Sequence, residues 1–406
     1  MILRARHLLP VTGPLIEDGA VVISGNTIAD AGSWADIRRR HPGAVTDLGE
    51  RILLPGLVNA HCHLDYTMFR RAISPQRSFT EWVRQINALK RTLDDADYRE
   101  AIAKGFAELR AAGTTSVANI ESFPELIPAM PEPPIRTWWF LEMIDVRHRT
   151  STDELLAGAL AFFEKFPASA GGFGLSPHAP YTASGALFGM TAKAAESLDM
   201  PVTTHVAESR EEWEMFRNGR GELYDFTLSL GRWMHDCHHG RTPLAHVAAH
   251  ANLGPRWLLA HMNELDDSDF DLLARIPGDH RPSVVHCPGS HAYFQHSPFQ
   301  LGRLRETGIN VCLGTDSLAS THSLSLFDEM RTLARQHPWL DAADIIAAAT
   351  LNGARALGIA AGKIAPGALA DLIAIPHAGS GGEVHAAVLA HRGPVGWMMI
   401  NGKILS

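Results

Sequence analysis

Apolar and polar residues alternate near both ends of the chain, whereas short continuous apolar runs fill its middle. Near the start, "ILRARHLLP" and "GAVVISGNTIADAG" carry the pattern of half-buried strands, with turn signals at Gly25-Asn26 and Ala31-Gly32. The C-terminal stretches "ALADLIAIP", "HAAVLAHRG" and "GWMMINGKIL" read the same way. Strands at both termini predict one small β-sandwich domain assembled from residues 1–54 and 360–406. Between them, "GLVNAHCH", "TTSVANI", "RTWWFLEMI", "GGFGLSPHAP", "PVTTHVAE", "WLLAHMN", "SVVHCPG" and "NVCLGTDS" form eight candidate strands. Helical patterns separate them, for example near 96–112, 152–166 and 185–198. Such alternation argues for a parallel sheet, and eight units argue for closure, so 55–359 is expected to be an α/β fold, a (β/α)8 TIM-like barrel.

Barrel chemistry gathers where the strands end, and there the polar residues are concentrated. The first candidate strand ends in His61-Cys62-His63; alternation projects the two histidines together and turns Cys62 away. The pair alone is a weak signal in a chain with 22 histidines. The fifth strand adds His205 and, three residues on, Glu208; the sixth ends at His261, the seventh at His286 with His291 beyond, and the eighth at Asp316. One polar rim residue is commonplace, but a set spread over several strands is not. Imidazole nitrogens and a carboxylate suit a divalent ion, with zinc first and iron or manganese open. Such an ion lowers the pKa of bound water toward about 7, and a carboxylate such as Glu208 is placed to carry the protons.

Composition narrows the class without choosing the reaction. With 46% hydrophobic and 20% charged residues, the chain can bury a core unaided. A net charge of −8 offers no basic excess for phosphates or an anionic membrane surface, so a small-molecule substrate is expected, with neither nucleic acid nor membrane as partner. Cys62, Cys237, Cys287 and Cys312 are scattered, as free thiols in a cytoplasmic protein would be. No apolar run reaches membrane-span length. Homodimerisation is left open.

The motifs resemble the amidohydrolase superfamily over nearly the whole chain. Pro55 to His63, His205 to Glu208, Ala260-His261, His286 to Ser290 and Gly314 to Asp316 stand where that family has "PG.V..H.H", "H..E", "AH", "H.P.S" and "GTD". The resemblance implies a metal held by His61, His63, His205 and Asp316, a proton shuttle in Glu208, and His261 orienting or polarising water or substrate. Asp316 would also take a proton from the attacking water. The fourth strand ends "LSPHAPYT", without the lysine of dinuclear members, which implies one metal.

"SLAS" after Asp316, "FTEW" at Phe79 to Trp82 and "HVAESREE" resemble the branch of adenosylhomocysteine and guanine deaminases and triazine hydrolases. "GRGELYDFTLSLGRW" and "HCPGSHAYFQHSPFQLGRL" are similar to aminodeoxyfutalosine deaminases of menaquinone biosynthesis. That likeness implies hydrolytic deamination of a 6-aminopurine nucleoside derivative, aminodeoxyfutalosine first. Deamination of adenosylhomocysteine, methylthioadenosine or guanine, and chlorohydrolase or cyclic amidase action, are the alternatives. Trp82, Glu142, Arg147, His178 and His291 are candidate substrate contacts; against them, a helical tryptophan is more often core, an arginine near a strand end is more often solvated, Glu142 can be polar lining, and His178 can pack before Pro180. Two positions depart from the adenosylhomocysteine deaminase pattern. Arg91 stands where a ribose-binding glutamate is usual, and His291 replaces the asparagine of "NP.SN". "HDCHHG", His235 to Gly240, lacks strand or helix spacing and reads as surface clustering.

Overall fold

The computed structural model describes the whole chain except residues 147–149, 167–169, 233–234, 236, 238–239 and 406. Its strands are β1 (Ile2–Leu8), β2 (Ile16–Ser24), β3 (Thr27–Ser33), β4 (Val45–Asp47), β5 (Arg51–Pro55), β6 (Leu57–His63), β7 (Thr114–Glu121), β8 (Arg136–Met143) and β9 (Gly171–Pro177). They continue as β10 (Val202–Val206), β11 (Trp257–His261), β12 (Ser283–His286), β13 (Asn310–Leu313), β14 (Asp316–Ser317), β15 (Leu372–Pro376), β16 (Trp397–Ile400) and β17 (Lys403–Leu405).

Strands β6 to β14 make the parallel sheet in the order β13-β12-β11-β10-β9-β8-β7-β6-β14. β13 and β14 are two halves of an eighth strand, interrupted at Gly314 and Thr315, and the pairing of Asp316 with Cys62 closes the ring. The structure is therefore the expected TIM-like barrel. Inward-facing Val58, Ala118, Phe140, Leu258, Val285 and Cys312 fill its interior, with Ala354 and Leu357 packed against them. Outward-facing Val117, Leu141, Leu175, Leu259 and Val284 pack on helical side chains such as Phe106, Phe188 and Met330. Parallel strands buried on both faces read as unbroken apolar runs, which is why they were visible in the sequence.

The terminal strands meet in one hydrogen-bonded sheet, β17-β16-β15-β5-β1-β2-β3 with β4 on β1, rather than in two separately bonded layers. Leu3, Val21, Ile28, Leu53 and Leu372 form its own core. All four cysteines are buried and free. Among the described residues no helix is long and apolar enough to cross a membrane.

Candidate active site

Each element that reaches the barrel rim breaks its regular pattern there. In β6, outward Leu57 and inward Val58 and Ala60 set a phase that would turn His61 outward. The register against β7 shifts between Asn59 and Cys62, so Cys62 joins the outer core and His61 and His63 face the centre. His261 and Asp316 take left-handed backbone angles, φ +73° and +59°, which cost a non-glycine residue about 1–2 kcal/mol. Gly314 is confined by His61: a Cβ there would lie 2.7 Å from the His61 Cβ and 2.8 Å from its carbonyl oxygen.

The structure gathers His61, His63, His205, His261, Glu208 and Asp316 at one point, all of them buried. Asp316 Oδ1 is 3.7 Å from His61 Nε2 and 3.9 Å from His63 Nε2. The Nε2 atoms of His63 and His205 are 3.1 Å apart. Two nitrogens on one tetrahedral ion, each about 2.0–2.1 Å from it, sit roughly 3.3 Å apart. His205 Nδ1 donates to the His178 carbonyl at 2.8 Å, which leaves its Nε2 lone pair directed at the cluster. Both ring nitrogens of His61 and the Nε2 of His261 have no hydrogen-bond partner among the described residues. Buried nitrogens without partners are costly, and a divalent cation shared among them relieves that cost. The donor set fits such an ion.

Electrostatics agrees with this arrangement. Burial keeps the imidazoles of His63, His205 and His261 neutral, with His63 pushed down to about 3 and the other two well below their usual range. Neutral imidazole is the form that binds metal. Burial also opposes charge on Asp316, but the surrounding histidines outweigh it and hold its carboxyl well below the ordinary range. Glu208 behaves oppositely: burial, then the nearby Asp316 and Glu212, push its carboxyl well above that range. It lies 3.6 Å from His261 Nε2 and is set to hold a proton.

A cavity of about 770 Å³ opens onto this cluster, and Trp82, Glu142 and His178 all line it. Ser122 Oγ donates to Glu142 Oε2 at 2.9 Å, and Glu142 Oε1 faces His178 Nε2 at 3.8 Å. His291 is not among the lining residues. Its Nε2 bonds the Ser297 carbonyl at 2.9 Å, and its ring packs against His286 and His296. His286 stacks on Phe299 and takes no part in the cluster. Arg147, Arg149 and positions 236, 238 and 239 of "HDCHHG" lie outside the described residues.

Several neighbours escaped the motif reading. Tyr66 stacks on the His63 ring and accepts a bond from Lys90 Nζ at 2.5 Å. The Phe79–Lys90 helix is tied to the Glu208 segment through Glu211, whose carboxylate accepts the Phe79 and Thr80 N–H groups at 2.9 and 2.8 Å. The only local signal was a carboxylate available for a helix N-terminus.

The amidohydrolase family profile matches residues 52–405, and the chain belongs to that family. A shorter match, to an imidazolonepropionase-like composite domain of bacteria, covers residues 19–44. The 5'-deoxyadenosine deaminase of Methanothermobacter thermautotrophicus is 32% identical over 385 residues, 89% of this chain and 83% of the relative. The aminodeoxyfutalosine deaminase of Deinococcus radiodurans is 30% identical over 357 residues, 84% and 81% of the two chains. Among solved structures, an adenosine deaminase from Xanthomonas campestris with bound zinc superposes with a TM-score of 0.85 at 27% identity, covering 99% of this chain and 92% of the other.

Proposed function

We propose that this chain is a hydrolytic deaminase of a 6-aminopurine nucleoside derivative, using one zinc ion, with aminodeoxyfutalosine as the first substrate to test. The observation that carries the reading is a proton-holding Glu208 beside His261 and a buried histidine–aspartate donor set, at the floor of a nucleoside-sized cavity. Relatives named for deaminating adenosine derivatives support the same class.

His61, His63, His205 and Asp316 would hold the ion, which supplies a Lewis acid that makes water nucleophilic at neutral pH. A single ion is favoured because β9 and the loop after it, "SPHAPYT", carry no lysine to bridge a second. Glu208 holds a proton at its carboxyl and passes it to the departing amino nitrogen, so that ammonia rather than amide anion leaves. His261 stabilises the developing tetrahedral centre, and Asp316 accepts the proton that water loses. Trp82 and His178 hold the base, while Glu142 offers a carboxylate oxygen to substrate hydroxyls.

The test is ammonia release from aminodeoxyfutalosine, 5'-deoxyadenosine, methylthioadenosine, adenosylhomocysteine and guanine, with metal analysis on the same sample. Ammonia from an adenosine derivative and about one zinc per chain are expected. No release from any purine would overturn the reading.

A further inference from the structure

The two strands that close the barrel are both irregular where they meet. From Asn59 to Cys62, β6 advances three residues while β7 advances two, from Val117 to Asn119, so β6 carries a bulge. Across the seam, the eighth strand is interrupted at Gly314 and Thr315, between β13 and β14. Each break leaves backbone groups without a regular ladder partner, and Asn59, His61 and Thr315 are fully buried there.

One side chain serves both breaks. Asn59 Oδ1 accepts the His61 N–H at 3.4 Å within β6 and the Thr315 N–H at 3.2 Å across the seam. Asn59 Nδ2 donates to Thr315 Oγ1 at 2.8 Å. The Thr315 N–H is shared with the His61 carbonyl at 3.0 Å. An amide suits this place because it offers an acceptor and donors together. Asn119 holds the other flank of the bulge, its Oδ1 accepting the Leu64 N–H at 2.9 Å, but that bond ties β6 only to β7.

The clasp lies next to the donor set. His61 is two residues beyond Asn59, and Asp316 directly follows Thr315. His61 and His63 come from the first barrel strand and Asp316 from the last, so the His61–His63–Asp316 group straddles the seam. β14 and β6 pair over two positions, Asp316 with Cys62 and Ser317 with His63.

We infer that Asn59 is a positioning residue, whose bonds to Thr315 hold the first and last barrel strands in the register at which His61, His63 and Asp316 share one ion. This rests on the metal-dependent reading of the site and deepens it. Ser290 and Ser320 engage the Asp316 carboxylate, whereas Asn59 places the backbone that carries it. Ion binding and seam closure are linked: what loosens the seam weakens the ion, and the ion tightens the seam by the same factor.

The experiment compares wild type with Asn59→Leu, Thr315→Val and Thr315→Ser. Chelator competition reads zinc affinity, the visible absorption of the cobalt(II) form reads ligand geometry, and thermal unfolding in excess chelator reads metal-free stability. Asn59→Leu keeps the bulk and removes the bonds to His61 and Thr315; zinc should bind about 10- to 100-fold more weakly, with a changed cobalt spectrum. Thr315→Val removes only the Oγ1 acceptor and should lose less, while Thr315→Ser restores it and should bind zinc as wild type does. The stability that a given zinc concentration adds should shrink in step with affinity. A merely structural part for Asn59 would lower the metal-free Tm and leave zinc affinity and the cobalt spectrum unchanged, and that result would overturn the inference. Should Asn59→Leu fail to fold, Thr315→Val decides: zinc affinity and a cobalt spectrum matching Thr315→Ser would overturn it. A wild type that takes up no divalent ion would sink the donor-set reading itself, whereas zinc held equally by all four proteins would overturn the clasp alone.

Discussion

Ser290 Oγ donates to Asp316 Oδ2 at 2.7 Å, and Ser320 Oγ donates to the same oxygen at the same distance. With Oδ2 occupied twice, Oδ1 is the oxygen turned toward His61 and His63. The two serines therefore set which carboxylate oxygen can meet an ion, as outer-shell partners of metal ligands do. Ser290→Ala should weaken metal affinity about 10- to 100-fold, and Ser290→Ala/Ser320→Ala should weaken it further. Chelator competition measures both, and unchanged affinity in the double variant would show that Asp316 is oriented by something else.

On the proposed reading, Glu208 separates metal binding from proton transfer. Glu208→Gln keeps the size and the backbone bond that its N–H makes to Glu212 Oε2 at 2.7 Å. It removes the transferable proton. Turnover should fall about 10²- to 10⁴-fold while metal content stays at the wild-type level. A variant that keeps its turnover would remove Glu208 from the mechanism.

Asp316→Ala should behave differently, losing bound metal together with activity, because it deletes the carboxylate of the His61–His63–Asp316 group. Metal stoichiometry that survives this change would exclude Asp316 as a ligand.

Gly314 tests how tightly the rim is built. A methyl group there meets His61 backbone and Cβ atoms at 2.7 to 3.0 Å, and none of these is the far end of a flexible side chain. Gly314→Ala should displace β6 at His61, costing about 1–3 kcal/mol of stability and lowering metal affinity. A fully stable, metal-replete variant would mean that the strand gives way freely.

Those rim details also mark where the sequence stopped being legible. The eight apolar runs predicted the barrel because strands covered on both faces show no alternation, and the candidate ligands appeared where three of those runs stopped. Simple alternation correctly paired His61 with His63 against Cys62. It does not show that the strand must shift phase after Asn59 to turn that pair inward, since the shift depends on pairing with β7. Nor does a local pattern show the left-handed turns at His261 and Asp316, which the closing ring imposes. His291 followed its motif into a place beside Ser297, away from the cavity. Tyr66, Ser122 and Lys90 belong to the site through contacts between distant segments, and spacing carries no trace of those.

Glu212 links the site to the pH dependence of stability. It is fully buried, and burial pushes its carboxyl up to about 8 although backbone N–H groups partly oppose the shift. Its Oε2 accepts the Glu208 N–H, while Oε1 has no partner among the described residues. An unfolded glutamate titrates near about 4.3, so between that value and about 8 the folded chain keeps a proton that the unfolded chain has released. The stabilisation is therefore full below the unfolded pKa and is lost as the pH rises through the folded one. Glu329, also pushed to about 8 by burial, adds a slope of the same sign. Thermal unfolding above about pH 6.5, where the buried neutral histidines no longer add a slope of opposite sign, should show wild-type Tm falling toward about pH 8. Glu212→Gln, neutral at every pH and still able to accept the Glu208 N–H, should flatten the fall and melt higher than wild type above pH 8 by a few degrees, at about 2–4 °C per kcal/mol. A Gln variant that tracks wild type across the window would mean that Glu212 is already ionised in the folded protein.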